Sequence, residues 1–377
     1  MISLVLPYIV VVPPLVYALL TVWCGLRYFR RERQAIDHAP PVTIIKPVKG
    51  MDADSLANFA SFCRQDYHRY QIVFAVADAA DPVVQVIREL VALYPDTDIE
   101  LVIDGRIYGP NYKVCNLMNA YPRAKYDLII VCDSDIGVGE SYLREVCAPF
   151  ADPRVGLVTS LYRTSRFEGV ACAMESMGFT VEMVPNVMVA QVLEGLSFAL
   201  GASMAVRREA LESVGGFGAL VDYLADDYQL GNKVYRAGWQ LELSDCFVES
   251  VVHRERLANV LSRQLRWART MRVSRPGGYL ASGITQPFLA VILALIVSGG
   301  APAGLGAVGL LYAVRSCAAL VYSRLFLRDA VFPRWLWLLP LRDAIALCTW
   351  ALAFLGNRVT WRGHRFRVKP GGTLQEV

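Results

Sequence analysis

The stretch ISLVLPYIVVVPPLVYALLTVWCGL, residues 2 to 26, carries no charged side chain. At about 1.5 Å per helical residue, its length reaches across a hydrocarbon layer of about 30 Å with room for tilt. No basic segment precedes it and no small-residue cleavage site follows it, so it reads as an uncleaved anchor rather than a signal peptide. The arginines come after it, in RYFRRER (27 to 33), and the positive-inside tendency keeps them in the cytosol. The expectation is an outside N-terminus and a chain that continues inside.

A second apolar region lies near the other end. ITQPFLAVILALIVSGGAPAGLGAVGLLYAV (284 to 314) reads as two segments joined by a Gly/Pro-rich turn, and WLWLLPLRDAIALCTWALAFLG (335 to 356) as a third, broken by Pro340, Arg342 and Asp343. Three full crossings after a cytosolic stretch leave the basic tail outside, against the positive-inside tendency. A re-entrant or interfacial course for part of 331 to 356 is therefore expected. Composition agrees with membrane segments: of 377 residues, 55% are hydrophobic and 19% charged, with a mean hydropathy of +0.36, too apolar for an ordinary soluble enzyme. The net charge of +4 gives no reason to invoke nucleic acid. The clusters at 27 to 33 and at RGHRFRVK (362 to 369) suit an anionic membrane surface instead. Nine scattered cysteines without C-x-x-C spacing read as reduced thiols, not as a disulfide frame or a zinc site.

Residues 42 to about 255 have another texture. PVTIIKPVKG, QIVFAVAD, DIELVID and YDLIIVCD are short β-branched runs ending in polar residues, and DSLANFASFCRQ and DPVVQVIRELVALY read as helices between them. Strands alternating with helices predict a mostly parallel α/β sheet with ligands bound beyond the carboxyl ends of its strands. Asp78 and Asp133 fall at two such ends.

Asp133 and Asp135, in VCDSDIGVG, repel one another, and burying either without a partner is costly. A hard cation removes that cost: Mg²⁺ or Mn²⁺ takes one or two carboxylates and completes its shell with water and phosphate oxygens. The competing explanation is a solvated turn. Asp226 and Asp227 open a helix-like run that closes at Gly238, as capping acids or as a general base for an acceptor hydroxyl. In SRQLRWARTMR, Arg263, Arg266, Arg269 and Arg272 recur every three residues along one helical stripe. That stripe suits phosphate, with Trp267 as a flat apolar wall, or a helix lying on anionic lipid. The segment 178 to 201 is apolar but contains Glu182, Pro185, Asn186, Gln191 and Glu194, which argues for an interface segment receiving a lipid, or a core helix, rather than a span.

The motifs IIKPVKG, VADAADP, NYKVCNLM, YDLIIVCDSDI, GASMAVRREAL, LADDYQLG, RQLRW and WRGHRFRVKPGGT occur in this order along nearly the whole chain. Together they resemble the ceramide glucosyltransferase family (glycosyltransferase family 21), membrane enzymes with a GT-A type nucleotide-sugar-binding domain. The resemblance implies that Asp78 contacts the uridine of a UDP-sugar, that Asp133 and Asp135 hold the metal, and that Asp227 is the base. It puts Asp226 where glutamate is common, has Arg263, Arg266 and Trp267 gather diphosphate and acceptor, and turns Lys113 and Asn116 toward the donor. Val184 stands before Pro185 where animal members carry a histidine, which points away from ceramide as acceptor. The wording of LANFASFCRQDY is similar to the bacterial branch associated with hopanoid biosynthesis. That branch implies transfer of N-acetylglucosamine to a polycyclic triterpenoid, with ceramide as the second acceptor and glucose as the alternative sugar.

The organisation expected is an anchor over 1–27, a cytosolic GT-A domain over 40–275, two or three membrane segments over 283–356 and a basic cytosolic tail over 357–377, in a bacterial inner membrane. The rivals are a processive polysaccharide synthase, which needs more spans than this, and a non-catalytic membrane scaffold, which has no need of the acids.

Overall fold

A computed structural model describes residues 2–31, 38–52, 54–164, 167–251, 255–329, 331–361 and 364–376. Residues 32–33 and 362–363, which belong to the two basic clusters, lie outside the described residues. In chain order the first elements are α1 (Ile2–Phe29), β1 (Val42–Val48), α2 (Ser55–Cys63), β2 (Tyr70–Val76), α3 (Val83–Leu93), β3 (Asp98–Ile103), α4 (Tyr112–Ala120) and β4 (Leu128–Cys132). Next come β5 (Ile136–Gly137), α5 (Tyr142–Cys147), β6 (Val155–Arg163), α6 (Gly169–Gly178), α7 (Val184–Leu193), β7 (Ser203–Arg207), α8 (Arg208–Ser213), α9 (Asp226–Arg236) and β8 (Gln240–Ser250). The last are α10 (Leu257–Ser274), α11 (Pro276–Ala281), α12 (Pro287–Ser298), α13 (Pro302–Val321), α14 (Leu339–Ala353), β9 (Arg358–Trp361), β10 (His364–Val368) and β11 (Leu374–Glu376).

These elements form two units: Arg33–Arg166 with Gly195–His253, and Met1–Glu32 with Phe167–Glu194 and Arg254–Val377. The stretch 40–275 thus divides between them.

The first unit is an α/β sheet of eight strands in the order β3-β2-β1-β4-β7-β6-β8-β5. β3, β2, β1 and β4 run parallel, as do β6 and β8, while β7 is antiparallel to both of its neighbours. The apolar runs read as strands are these parallel strands, and β1 and β4 are buried along their whole length because helices cover both faces. Phe59, Phe62, Ile72, Phe74, Ile87 and Ile130 lie in that core. β1 pairs with β2 on one side and β4 on the other, so the strand order reverses at β1, and sheets of this kind bind ligands beyond the carboxyl ends beside such a reversal.

The second unit is helical, with a small antiparallel sheet, β11-β10-β9. Among the described residues, three helical runs are long and apolar enough to cross a membrane: Leu4–Phe29, Pro302–Phe326 and Phe332–Ala353. A fourth candidate is bent, Pro276–Thr285 followed by Pro287–Ser298 at 49°. The break has a local cause: Gln286 precedes Pro287, whose ring disfavours helical backbone in the residue before it. The helical rise gives the 12 residues of α12 a length of only about 18 Å.

Over 332–353 the helical run is continuous, so Pro340, Arg342 and Asp343 do not break it as their residue types suggested. Pro340 sits at the start of α14, where proline interrupts nothing. Arg342 and Asp343 are buried and paired, Arg342 with Glu182 at 2.8 Å and Asp343 with Arg315 at 2.5 Å, so they do not interrupt the helix. Segment 178–201 begins as the end of α6, continues through a π-helical turn over Phe179–Met183 and becomes α7. All nine cysteines are free thiols.

Removing Asp343 leaves the Arg315 guanidinium buried without its counter-charge. Asp343→Ala is expected to cost on the order of 3–5 kcal/mol, read as a lower melting temperature of the detergent-solubilised protein. An unchanged melting temperature would contradict this packing.

Candidate active site

The two acidic motifs meet in the α/β unit at the carboxyl end of β4. Asp133 is the first residue past that strand, and its amide donates to the Ala202 carbonyl at 3.3 Å, ahead of β7. Lys113, in the first turn of α4, reaches Asp133 Oδ1 at 2.7 Å and Asp226 Oδ2 at 3.4 Å. One ammonium therefore joins the D-x-D motif to the acids that open α9. Burial alone would depress the Lys113 pKa, but Asp133 and Asp226 outweigh it and hold the group above its ordinary value, so it stays charged.

Around that lysine the acids are crowded. Burial first, then the charges of Asp133 and Asp52, push the Asp135 carboxyl up to about 7. Asp52 in turn accepts a hydrogen bond from Ser134 Oγ. Burial and the charge of Asp226, partly offset by Lys113, push the Asp227 carboxyl up to about 6. Asp227 Oδ1 accepts the Tyr228 amide at 2.7 Å, in the first turn of α9, where the helix dipole favours negative charge. Ala225, not an aspartate, is the N-cap, which weakens the simple capping explanation for the pair.

Other residues that position this cluster had not been singled out from the sequence. Lys46, a fully buried cation inside β1, donates to the Asp133 carbonyl at 2.9 Å and lies 3.8 Å over the Phe62 ring. Burial lowers its pKa, with Cys132, Asp133 and Asp135 working the other way. Asn111 caps α4 by accepting the Val114 amide at 3.1 Å, while its Nδ2 donates to the Tyr223 carbonyl at 2.8 Å and to Asp226 at 3.4 Å. A charged residue inside the apolar run TIIKPV was the available signal for Lys46.

Asp78 and Asn116 stand apart from this ion cluster. Asp78 is exposed just beyond β2, its carboxylate accepting the Ala80 amide at 2.8 Å. Asn116 is buried, with Nδ2 donating to the Ala75 carbonyl at 3.4 Å.

Arg263, Arg266 and Trp267 belong to α10 in the helical unit. The Arg263 fork is held by Glu175 of α6, at 2.6 and 2.5 Å, and also by Glu255. Trp267 lies 6.3 Å from Phe179 in the π-helical turn.

Among the described residues no three His, Cys, Asp or Glu side chains form a complete metal-ligand set. Crowding still makes the D-x-D acids suitable for a hard divalent ion, which needs only one or two carboxylates from protein. A cation there would offset the burial, and the repulsion by Asp133 and Asp52, that raise Asp135.

Gly201 leaves room for the Asp227 carboxylate, since a Cβ at that position would lie 2.7 Å from Asp227 Oδ2. Gly201→Ala is expected to displace a side chain rather than backbone. Activity should fall at least about tenfold, one pair's worth of positioning, with a melting temperature close to wild type. Full activity in this variant would separate Asp227 from the reaction.

The comparisons with known proteins agree with this architecture. The family model described as Glycosyl transferase family 21 matches residues 6–374. Ceramide glucosyltransferase 3 of Caenorhabditis elegans is 29% identical over 231 residues, 61% of this chain and 50% of that protein. A ceramide glucosyltransferase of Candida albicans is 37% identical over 116 residues, covering 27% of this chain and 21% of its own. The chain spans about half the length, or less, of the curated relatives it matches. Among solved structures, the mannosyltransferase PcManGT of Pyrobaculum calidifontis, in complex with GDP-Man and Mn²⁺, superposes with a TM-score of 0.53 at 19% identity. That alignment covers 93% of this chain and 99% of the other, a likeness of fold. The α/β unit is of the GT-A type, apolar helices stand at both ends, and the chain belongs to glycosyltransferase family 21.

Proposed function

We propose that the chain is a membrane-bound inverting glycosyltransferase that moves a sugar from a UDP-sugar to the hydroxyl of a membrane lipid. The observation that carries this reading is Lys113 joining Asp133 to Asp226, beside an Asp227 carboxyl raised to about 6. A carboxylate poised near neutral pH takes a proton from an alcohol more readily than one of ordinary acidity.

Asp133 and Asp135 would hold Mg²⁺ or Mn²⁺, which when bound neutralises charge on the diphosphate leaving group. The Mn²⁺ named with PcManGT supports that choice of ion. Lys113 holds Asp133 and Asp226 in place through its two ion pairs. Asp78 and Asn116 we assign to the donor side, after the family's pattern. Arg266 and Trp267 we assign to the diphosphate and acceptor, on their R-x-x-R-W motif. Arg263 braces α10 instead, because its fork is already taken by Glu175 and Glu255.

Asp227 deprotonates the acceptor hydroxyl as that oxygen attacks the anomeric carbon, and the bond to UDP breaks in the same displacement. One displacement inverts the centre, and no covalent sugar–enzyme species is needed. The acceptor is a lipid alcohol of the hopanoid or ceramide class. The curated ceramide glucosyltransferases support ceramide, while Val184 before Pro185 and the likeness to the hopanoid-associated branch support the triterpenoid. The sugar is N-acetylglucosamine or glucose, and the setting is a bacterial inner membrane with the catalytic stretch in the cytosol.

The test is transfer from radiolabelled UDP-sugars to lipid in membranes containing the full chain, with the product identified by mass spectrometry. Asp227→Asn is expected to lower the rate about 10²- to 10⁴-fold while UDP-sugar binding is retained. In the wild type, the rate should fall as pH drops below about 6, where Asp227 takes up a proton and cannot accept another. Normal turnover by Asp227→Asn, or a polymer as product, would overturn the reading.

A further inference from the structure

The C-terminal sheet has one face without counter-charges. Along β9 and β10, Val359, Phe366 and Val368 are buried, while Arg358, Arg365, Arg367 and, just beyond, Lys369 are exposed. Alternation along each strand puts the three arginines on one face, and Lys369 follows at the end of β10. In the ladder Arg358 stands directly opposite Arg367, and Gln375 of β11 also opposes Arg367. Like charges placed opposite one another destabilise a sheet unless an anion lies against them. Among the described residues none of the four has a side-chain ion pair, and no acid occupies that face. Glu376 stands opposite Phe366, on the other face by register, and pairs with His364 at 3.2 Å.

Where this face sits along the chain identifies the anion. α14 ends a run apolar enough to cross a membrane, and Leu352, Phe354 and Leu355 just there are 46%, 42% and 79% exposed. Side chains that apolar belong in lipid. Arg358 follows Leu355 by three residues, which span at most about 10 Å of extended chain. The cations therefore begin within about one Debye length of the hydrocarbon edge, where anionic headgroups act on them. If the bent pair Pro276–Ser298 is re-entrant, only α1, α13 and α14 cross, and the tail emerges on the side where the arginines after α1 stay. That removes the conflict over charge and orientation noted from the sequence.

The sheet is tied to the helix that carries Arg266 and Trp267. The Arg269 guanidinium donates to the Arg358 carbonyl, and Arg272 donates to the Gly356 carbonyl at 3.3 Å. A force on β9 is therefore felt by α10.

We propose that the Arg358, Arg365, Arg367 and Lys369 face docks on anionic phospholipid headgroups of the cytoplasmic leaflet and thereby steadies α10. The docking stands on the sheet alone, whereas its effect on rate rests on the transferase reading above.

The experiment places the full-length protein in nanodiscs of phosphatidylcholine, alone or with phosphatidylglycerol. Lipid retained by the protein is measured by native mass spectrometry, and sugar transfer is measured in the same discs. Wild type should retain phosphatidylglycerol at least about fivefold over phosphatidylcholine, with the preference lost at high salt. Its transfer rate should rise severalfold with the anionic lipid. A variant with Arg358→Gln, Arg365→Gln, Arg367→Gln and Lys369→Gln should lose both effects and keep the wild-type rate in phosphatidylcholine. The corresponding variant with lysine at the three arginine positions should keep the lipid preference. Equal phosphatidylglycerol retention by wild type and the glutamine variant would overturn the docking, as would tighter retention of added nucleic acid or acidic protein than of lipid. Lipid preference without any effect on rate would overturn the coupling to α10. Absence of transfer in every lipid, with the preference intact, would count against the transferase reading and leave the docking standing.

Discussion

Five carboxylates share the neighbourhood of one strand end, and their mutual repulsion is the constraint around which the α/β unit is organised. Asp52, Asp133 and Asp135 face one another across the turn after β4, and Asp226 and Asp227 open α9 beside them. Two lysines answer that charge from different depths. Lys46 lies beneath the turn, inside β1, and holds its main chain by the Asp133 carbonyl. Lys113 bridges the two acidic groups from α4. Neither lysine neutralises Asp135 or Asp227, whose carboxyls stay high at about 7 and about 6. Carboxyls held above their ordinary range in this way have more affinity for a cation or a proton than an ordinary carboxylate, as metal binding and a proton-accepting step require.

The helical unit solves the same electrostatic difficulty by pairing. Asp343 with Arg315, Arg342 with Glu182, and Arg263 with Glu175 and Glu255 are all carboxylate–guanidinium contacts. Arginine's planar fork suits such contacts, and it meets Asp343 from Arg315 and Glu175 from Arg263 through two hydrogen bonds each, whereas Arg342 meets Glu182 through one. Glu182 sits in the π-helical turn between α6 and α7, so an irregular helix there presents its carboxylate to α14.

Much of the α/β unit was legible in the sequence, because each buried parallel strand is a continuous apolar run. QIVFAV and LIIVC are β2 and β4 almost to the residue. The D-x-D turn was legible for the same reason, as charge placed where such a run stops. Local spacing could not show that Lys113 faces Asp226, which lies far along the chain, nor that Gly201 shapes the space for Asp227. It also made Pro340, Arg342 and Asp343 look like interruptions of a helix that runs on through them. Pro340, Arg342 and Asp343 looked like a break because their partners, Glu182 and Arg315, are distant in sequence, whereas Pro287 is the residue at the bend. The two glutamate partners of Arg263 are likewise invisible from α10 alone.

The central claim is that the acids after β4 hold a divalent ion against a nucleotide diphosphate while Asp227 is left to accept a proton. Its most direct test is an anomalous-scattering map from crystals grown with Mn²⁺ and UDP. The expected result is a manganese peak within bonding distance of an Asp133 or Asp135 oxygen and of the diphosphate, with Asp227 outside the metal's shell. A diphosphate bound elsewhere, or manganese bound by Asp227, would contradict the account.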